Sequence, residues 1–258
     1  MSVRPKRELG QHWLVDENIL GVVGRLAELD RDDVVLEVGP GLGVLTAYLA
    51  DRARLVHAIE LDRSLEGPLR ERLGGRENVE LVFGDALERL GGDLDPAPTK
   101  LVSNLPYNVA TPIVVETVVA LPTVTRWCVM VQREVAARFF AEPGTKEYGG
   151  VTVVLRLATE RTGLRPVART CFRPPPNVDS ALVAFRRVRP WDDELERVRR
   201  IVQAAFTHRR KTLANALELA GIERGRSRDA IAGAGLPAGV RAEALSPKKF
   251  ADLAERLG

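Results

Sequence analysis

The stretch Val34-Val35-Leu36-Glu37-Val38-Gly39-Pro40-Gly41-Leu42-Gly43 decides the fold class of this 258-residue chain. Its first half is an apolar run, which predicts a buried strand, and its second half is rich in glycine. Leu45, Tyr48 and Leu49 follow with helical spacing. A strand, a glycine loop and a helix in this order are typical of a nucleotide cradle, because glycines let a ligand approach the backbone closely. The spacing is G-x-G-x-G and not the G-x-G-x-x-G of a dinucleotide site, so this motif alone does not identify the ligand.

Strand and helix patterns alternate up to about residue 140, which predicts an α/β fold with a mostly parallel, doubly wound sheet. The other predicted strands of that part are 54–59, 79–83, 100–102 and 127–131. Val151–Ala158 is interpreted as a strand, and with Ala181–Phe185 it predicts an antiparallel hairpin at one edge. From Asp192 onward the pattern is helical, over 195–206, 211–219, 228–232 and 247–257. We therefore expect a catalytic domain over residues 1–188 and a small all-helical domain over residues 189–258.

Composition narrows the class of protein further. Hydrophobic residues make up 45% of the chain, yet no apolar run approaches the roughly 18 residues of a membrane span. The basic N-terminus has no apolar segment behind it, so a secretory signal is not expected. Cys128 and Cys171 lack metal-ligand spacing, and His12, His57 and His208 are scattered. The sequence predicts a cytoplasmic protein with reduced thiols, no metal site and no membrane partner.

The net charge of +3 is distributed unevenly along the chain. Residues 186–258 hold 16 Lys+Arg and 10 Asp+Glu, whereas residues 1–185 hold 22 and 25. A basic C-terminal quarter favours a polyanionic partner, although a solvated helical face would have the same composition. Arg209-Arg210-Lys211 is predicted to lie on a helix and to meet phosphates there. The N-terminal arm, with Arg4, Lys6 and Arg7, is a second candidate.

Two carboxylates follow the next predicted strands. Glu60 comes about 20 residues after the glycines, where an acid accepts hydrogen bonds from ribose hydroxyls. Asp85 ends the third strand and could accept from an exocyclic amine such as the adenine N6. The alternative for Asp85 is an N-cap of the short segment 86–90. Together with Gly39, Gly41 and Gly43, these acids fit an adenosine ligand.

A fourth polar turn, Ser103-Asn104-Leu105-Pro106-Tyr107-Asn108, follows the apolar strand at residues 100–102. Taken alone it has the composition of an ordinary strand-to-helix turn. Beside an adenosine site, the Asn104 side chain and the Leu105 carbonyl offer acceptors, Pro106 stiffens the turn, and Tyr107 offers an aromatic face. Core packing is the alternative role for Tyr107.

This combination resembles the N6-adenine methyltransferases that use S-adenosylmethionine, whose motif is [DNS]-P-P-[YFW]. The variant N-L-P-Y is typical of the ribosomal RNA adenine dimethyltransferases. The resemblance covers nearly the whole chain in order, with Trp13 standing where the family usually has Phe. Its further segments are Gly10-Gln11-His12-Trp13-Leu14, Glu37-Val38-Gly39-Pro40-Gly41, Ile59-Glu60-Leu61-Asp62, Phe172-Arg173-Pro174-Pro175-Pro176-Asn177-Val178-Asp179-Ser180 and Ala205-Phe206-Thr207-His208-Arg209-Arg210-Lys211-Thr212-Leu213-Ala214-Asn215.

The resemblance implies a Rossmann-like class I methyltransferase sheet with a helical C-terminal domain. It implies that Tyr107 and Phe172 hold a target adenine and that Asn104, Leu105 and Pro106 form the catalytic turn. It also assigns S-adenosylmethionine to a set of contact residues, which are His12, Leu14, Gly39, Gly41, Glu60, Leu61, Asp85, Ala86 and Asn104.

The activity implied is dimethylation of two adjacent adenines in the 3′-terminal hairpin of small-subunit ribosomal RNA. The partner would be the RNA or an assembling 30S particle, and a monomer is expected. Three alternatives remain open. They are an antibiotic-resistance methyltransferase acting on large-subunit RNA, a non-catalytic RNA-binding relative, and an NAD-dependent oxidoreductase, which would leave the turn from Asn104 to Tyr107 unexplained.

Overall fold

The computed structural model describes residues 5–6, 11–90, 92 and 94–258 of the chain. Arg4, Arg7, Gly10 and Gly91 lie outside the described residues. The strands are β1 (Trp13–Leu14), β2 (Val34–Val38), β3 (Leu55–Glu60), β4 (Val79–Phe83), β5 (Lys100–Asn104), β6 (Arg126–Gln132), β7 (Thr159–Val167), β8 (Phe172–Arg173) and β9 (Ser180–Arg187). The α-helices are α1 (Glu17–Ala27), α2 (Val44–Ala50), α3 (Glu66–Leu73), α4 (Ala86–Arg89), α5 (Ala110–Ala120), α6 (Arg133–Phe139), α7 (Gly150–Ala158), α8 (Asp193–Thr207), α9 (Leu213–Leu219), α10 (Arg224–Gly233) and α11 (Pro247–Leu257).

The main sheet has seven strands in the order β4-β3-β2-β5-β6-β9-β7. The pairs from β4 to β6 are parallel, and β9 runs antiparallel to β6. The chain moves outward from β2 to β4, then returns to build β5 and β6 on the other side of β2. Ligands of open α/β sheets bind at such a reversal, beyond the carboxyl ends of the strands. The predicted parallel α/β sheet is confirmed.

The central strands are buried because both faces of the sheet are covered. All five residues of β2 are buried, and six of the eight residues of β9 are buried. Parallel strands covered on both faces have such continuous apolar runs. Helix α1 begins after Asp16, whose carboxylate accepts the Asn18 amide hydrogen and so caps the helix.

The segment Val151–Ala158 was predicted to be a strand, and this prediction is wrong. It forms α7, and the strand follows it in the chain as β7. Strand β7 occupies the edge of the sheet beside β9, the strand that runs antiparallel to β6. The Thr152 hydroxyl accepts the Gly149 amide hydrogen at 3.2 Å and so fixes the start of α7. The helix then buries Val153 and Leu155 completely.

The chain divides into two compact units, and the division is not a single cut near residue 188. The first unit contains residues 1–136 and 160–187, and the second contains 137–159 and 188–258. One boundary between the units follows Arg187, and the stretch Ala137–Thr159 belongs to the helical unit. The sequence could not indicate this because α7 was interpreted as part of the sheet.

The second unit has its own apolar core. Helix α7 contacts α8 and α11, and α8 also contacts α9. Tyr148 and Phe250 are fully buried there, and Phe206 lies 5.8 Å from Phe250 between ring centroids. The Tyr148 hydroxyl donates to the Leu245 carbonyl at 2.6 Å, which satisfies the one polar group that this ring buries.

The two cysteines are buried, unpaired thiols, as predicted. Burial raises the pKa of Cys128 to about 12. Within the described residues, no cluster of three or more His, Cys, Asp or Glu is arranged to hold a metal ion. No helix in the described ranges has both the length and the apolarity needed to span a membrane.

Candidate active site

A cavity that opens to solvent lies at the carboxyl ends of β2, β3, β4 and β5. Its position at the reversal of strand order is where the topology predicts a ligand. The cavity brings together every residue predicted for the methyl donor and four of the five predicted for catalysis. These are His12, Leu14, Gly39, Gly41, Glu60, Leu61, Asp85, Ala86, Asn104, Leu105, Pro106 and Tyr107.

The glycine loop forms the cavity floor, and two of its positions admit only glycine. Gly39 has φ of +73°, and a β-carbon there would lie 3.2 Å from the Pro106 ring. Gly41 has φ of +59°, and a β-carbon would lie 2.9 Å from the Trp13 indole. Positive φ and these contacts both disfavour a side chain. Pro106 therefore does more than stiffen its own turn, since its ring packs directly on the glycine loop.

Glu60 is fixed by two backbone amides. Its Oε2 accepts the Gly41 amide hydrogen at 3.0 Å, and its Oε1 accepts the Asp62 amide hydrogen at 2.9 Å. The residue is 5% exposed, and burial raises its pKa against the opposing effect of these hydrogen bonds. The carboxylate is thus oriented before any ligand arrives, and each oxygen keeps a lone pair for a further donor.

Both interpretations of Asp85 are compatible with its geometry. Its Oδ1 accepts the Leu87 amide hydrogen at 2.9 Å, which makes it the N-cap of α4. The residue also lines the cavity. One oxygen caps the helix, and the other accepts no hydrogen bond from the described residues.

The Asn104 side chain has a defined orientation. Its Nδ2 donates to the His12 carbonyl at 3.1 Å, and since a carbonyl only accepts, this contact identifies the amide nitrogen. The Oδ1 atom receives no hydrogen bond from the described part of the chain. The Leu105 amide donates to the Met130 carbonyl, whereas the Leu105 carbonyl is likewise without a donor among the described residues. Two successive residues that line the cavity therefore each have an acceptor without a donor among the described residues.

Tyr107 stands beside these acceptors and is held at both ends. Its ring stacks on His12 with centroids 5.6 Å apart, and its hydroxyl is 2.7 Å from the Ser180 Oγ. His12 in turn donates from Nδ1 to the Pro174 carbonyl at 2.8 Å, since the carbonyl only accepts. Burial raises the pKa of Tyr107. The ring has a fixed plane against which a flat aromatic ligand can stack.

Phe172 is the one predicted catalytic residue that does not line the cavity. Its side chain is 3% exposed and packs in the core that contains Leu14 and Cys171. Strand β8 pairs with β1 and sets Phe172 opposite Leu14. In this conformation Phe172 packs in the same core cluster as Leu14. His12 is the second aromatic group next to Tyr107.

Glu37 is a cavity residue to which sequence reasoning assigned no role of its own. It is 1% exposed, and its Oε2 accepts no hydrogen bond from the described residues. Burial raises its pKa to about 8, and the neighbouring Glu60 carboxylate adds to the effect. A single acid within the otherwise apolar run of β2 was the signal that could have revealed it.

The described part of the basic arm is held by Asp62, an acid in the loop after β3. Lys6 Nζ lies 2.7 Å from Asp62 Oδ1, and Gln11 donates to the other carboxylate oxygen at 3.0 Å. Although burial opposes it, hydrogen bonds from Lys6, Ser64 and Gln11 hold the pKa of Asp62 below its usual range. The charge of Lys6 is therefore paired with that of Asp62, contrary to the expectation that Lys6 is free to bind phosphate. Arg4 and Arg7 lie outside the described residues.

In the second unit, Arg209, Arg210 and Lys211 lie in the turn between α8 and α9, so their predicted helical position is wrong. Arg209 donates to the Lys146 carbonyl at 3.0 Å and to the Tyr148 carbonyl at 2.5 Å. Its guanidinium is occupied by this structural role. Arg210 and Lys211 are exposed, and no described residue forms an ion pair with either.

Comparison with known proteins gives consistent results. Residues 3–258 match the family model described as ribosomal RNA adenine dimethylase. The small-subunit ribosomal RNA methyltransferase A of Rubrobacter xylanophilus is 44% identical over 98% of this chain and 95% of that protein. The protein of the same name from Moorella thermoacetica is 43% identical over 98% and 92%.

Two solved structures are also similar to the chain. A dimethyladenosine transferase from Plasmodium falciparum has a TM-score of 0.78 at 24% identity, covering 94% of this chain and 96% of that one. The 23S rRNA methyltransferase ErmE has a TM-score of 0.69 at 33% identity, covering 95% and 99%.

The strand order and the cavity at its reversal define a class I methyltransferase. The chain belongs to the ribosomal RNA adenine dimethylase family. It is an rRNA adenine dimethyltransferase, and membership of the family implies S-adenosylmethionine as the methyl donor.

Proposed function

We propose that the protein dimethylates the N6 amines of two adjacent adenosines in the 3′-terminal hairpin of small-subunit ribosomal RNA. The relatives that are 43–44% identical carry the small-subunit name. The observation that carries the chemistry is that Asn104 and Leu105, whose Oδ1 atom and carbonyl are unused acceptors, both line the cavity. An amine with two hydrogens matches this pair.

The residues of the cavity fit the methyl donor. Glu60, already oriented by two amides, accepts from the ribose hydroxyls, and the second oxygen of Asp85 accepts from the adenine amine. The glycine loop admits the ligand because a β-carbon at Gly39 or Gly41 would fill its cradle. His12 and Leu14 close the site from the N-terminal side. Leu61 and Ala86 flank the adenine as apolar neighbours of the two acids.

The chemistry follows from the geometry of the acceptors. Bound S-adenosylmethionine supplies an electrophilic methyl group. Adenine N6 is a poor nucleophile because its lone pair is delocalised into the ring, and hydrogen bonds to Asn104 Oδ1 and the Leu105 carbonyl favour a pyramidal nitrogen. The same acceptors stabilise the positive charge that develops on N6. Tyr107 stacks on the extruded base, so catalysis is mainly positioning, and the proton leaves afterwards without a strong base.

The partner that we propose is the small-subunit RNA within an assembling 30S particle, bound by a monomer in the cytoplasm. Arg210 and Lys211 support this because they are exposed and unpaired among the described residues. In this proposal the first unit carries the catalytic site and the second unit contributes RNA contacts. A metal ion has no part in the proposed chemistry.

The test is methyl incorporation into defined particles. Undermethylated small-subunit particles, large-subunit particles and labelled donor are incubated with the protein, and the modified nucleotides are mapped by mass spectrometry. We expect two dimethylated adenosines in the small-subunit terminal hairpin. Incorporation only into large-subunit RNA would favour the activity named for ErmE, which is 33% identical to this chain. RNA binding without incorporation would favour a non-catalytic relative and contradict the proposal.

A further inference from the structure

A second, shallow groove in the first unit lies apart from the donor cavity. Its lining residues are Arg133, Arg169, Asn177, Val178 and Asp179. None of them lines the donor cavity, and the basic turn of the second unit is a separate feature. The groove contains two exposed arginines that nothing in the proposed chemistry uses.

The two arginines are anchored to one residue by their backbones. The Arg133 amide donates to the Asp179 carbonyl at 3.0 Å, and the Arg169 amide lies 3.4 Å from Asp179 Oδ1. Both arginines line the same groove and are exposed. Neither guanidinium forms an ion pair or hydrogen bond with a described residue, whereas Arg186, at the other end of β9, is paired with Glu160. Two guanidinium groups and a single carboxylate, that of Asp179, line the groove, and the excess of positive charge favours an anion there.

The position of the groove relates it to the catalytic turn. Ser180, the residue after Asp179, is the hydrogen-bond partner of the Tyr107 hydroxyl. Ser180 is also paired across the sheet with Gln132, the residue before Arg133. The groove thus lies one residue along each strand from the contact that holds Tyr107. When a base is extruded onto Tyr107, the backbone that carries it has to pass close by.

We propose that the Arg133–Arg169 groove binds a backbone phosphate of the RNA next to the target adenosine. Guanidinium groups match phosphate in geometry as well as charge, and the Asn177 amide adds a neutral donor at the same place. The proposal rests on the proposed function in one respect only, namely that the substrate is RNA. It adds a contact for the substrate strand within the first unit, beside the reacting base.

The experiment measures binding of a small-subunit hairpin RNA to the full chain over a range of salt concentrations. The variants are Arg133→Ala, Arg169→Ala and Arg133→Lys. Arg31→Ala is the matched control, because Arg31 is an exposed arginine before β2, near the amino end of a parallel strand, whereas Arg133 follows the carboxyl end of β6. Donor affinity by calorimetry and the thermal midpoint report whether the fold and the donor cavity are intact.

We expect each alanine variant to bind the hairpin about 5- to 10-fold more weakly and to lower the slope of log K against log salt by about one. Arg133→Lys should keep the slope but not the full affinity, since a lysine retains the charge and loses the planar fork. Donor affinity, the thermal midpoint and the Arg31 control should not change.

Unchanged affinity and slope in both alanine variants would overturn the proposal, as would an equal loss of donor affinity, which indicates a structural role. Weaker binding to whole particles with normal binding to the naked hairpin would assign the groove to a ribosomal protein and also overturn it. Failure of the proposed function is distinguishable, because wild-type protein would then leave small-subunit adenosines unmethylated whatever the variants do.

Discussion

Asn104 uses the two ends of its amide differently, and this division can be tested at the scale of one residue. The nitrogen holds the His12 carbonyl, and the oxygen is left for the substrate amine. We expect Asn104→Ala to lower kcat by about 100-fold or more, the usual effect of removing one hydrogen bond to a developing charge. Single-turnover methylation measures the loss of turnover, and calorimetry separately measures the affinity for the methyl donor.

Asn104→Asp provides the matched comparison for this prediction. It keeps an acceptor oxygen but loses the amide nitrogen that donates a hydrogen bond to the His12 carbonyl, so we expect it to retain more turnover than the alanine variant. Its affinity for the methyl donor should fall, because the N-terminal segment that carries His12 is no longer held. Near wild-type turnover in Asn104→Ala would contradict the acceptor role.

Glu37 provides a pH-dependent prediction for the ligand-free protein. Its pKa is about 8 in the folded chain against an ordinary value of 4.5, so the folded protein keeps a proton that the unfolded chain loses. Stability from this group therefore falls as pH rises from about 4.5 to about 8, by at most about 1.4 kcal/mol per pH unit.

The measurement is urea unfolding at pH 5 and pH 8. We expect Glu37→Gln to gain stability relative to the wild type as pH rises, because the amide does not ionise. The exposed Glu88→Gln serves as the control and should follow the wild type. Parallel pH curves for wild type and Glu37→Gln would show that the buried acid is not the cause.

At the scale of the element, the C-terminal end of helix α5 is capped by a side chain from β9. The Arg187 guanidinium donates to the Val118, Leu121 and Val124 carbonyls at 2.9–3.0 Å and lies 5.1 Å from the Trp127 ring. Burial lowers the pKa of this arginine. The contact supplies donors to carbonyls in the last turn of α5 and in the loop that follows it, where helix geometry leaves carbonyls short of partners.

We expect Arg187→Met to lower the free energy of unfolding by about 3 kcal/mol, because buried carbonyls lose their donors. Urea titration measures the change. Arg186→Met removes an exposed pair with Glu160 and should cost less than about 1 kcal/mol. Similar losses in the two variants would refute the capping role of Arg187.

The elements that the sequence predicted are those whose local pattern agrees with their final environment. Strand β2 was predicted because an apolar run is what a strand covered on both faces requires. Helix α7 was missed because valine and threonine favour strands locally, whereas packing inside the helical unit decides its structure. Strand β7 contains charges and Pro166, which only an edge strand tolerates, so its sequence was not assigned to the sheet.

The same distinction holds for the site. Asn104, Glu60 and Asp85 were predictable because each follows a parallel strand, and the carboxyl ends of such strands meet at one edge. The burial of Phe172 was not, because it depends on the two-residue pairing of β8 with β1. Neither did the pattern predict that Arg209 would bind carbonyls, since the end of α8 at Thr207 carries no glycine or proline signal.

At the scale of the whole molecule, the basic turn of the second unit separates into two roles. Arg209 supports its own unit through the Lys146 and Tyr148 carbonyls, whereas Arg210 and Lys211 are exposed. We expect the double variant Arg210→Ala and Lys211→Ala to reduce the salt slope of RNA binding by about two, with an unchanged thermal midpoint.

Arg209→Ala should instead lower the thermal midpoint, since two carbonyls lose their donor. The exposed Gln203→Ala on α8 is a neutral control for both measurements. A double variant with wild-type affinity and slope would leave Arg210 and Lys211 as solvated surface residues.

The second unit is made from two separate stretches, residues 137–159 and 188–258. Helix α7 from the first stretch packs against α8 and α11 from the second. A chimera that exchanges only the C-terminal stretch between family members would pair α7 with foreign neighbours and leave its apolar face poorly matched. Recombination between relatives, natural or engineered, therefore has to carry both stretches together. In this chain the helical unit is discontinuous in the sequence although it is continuous in the fold.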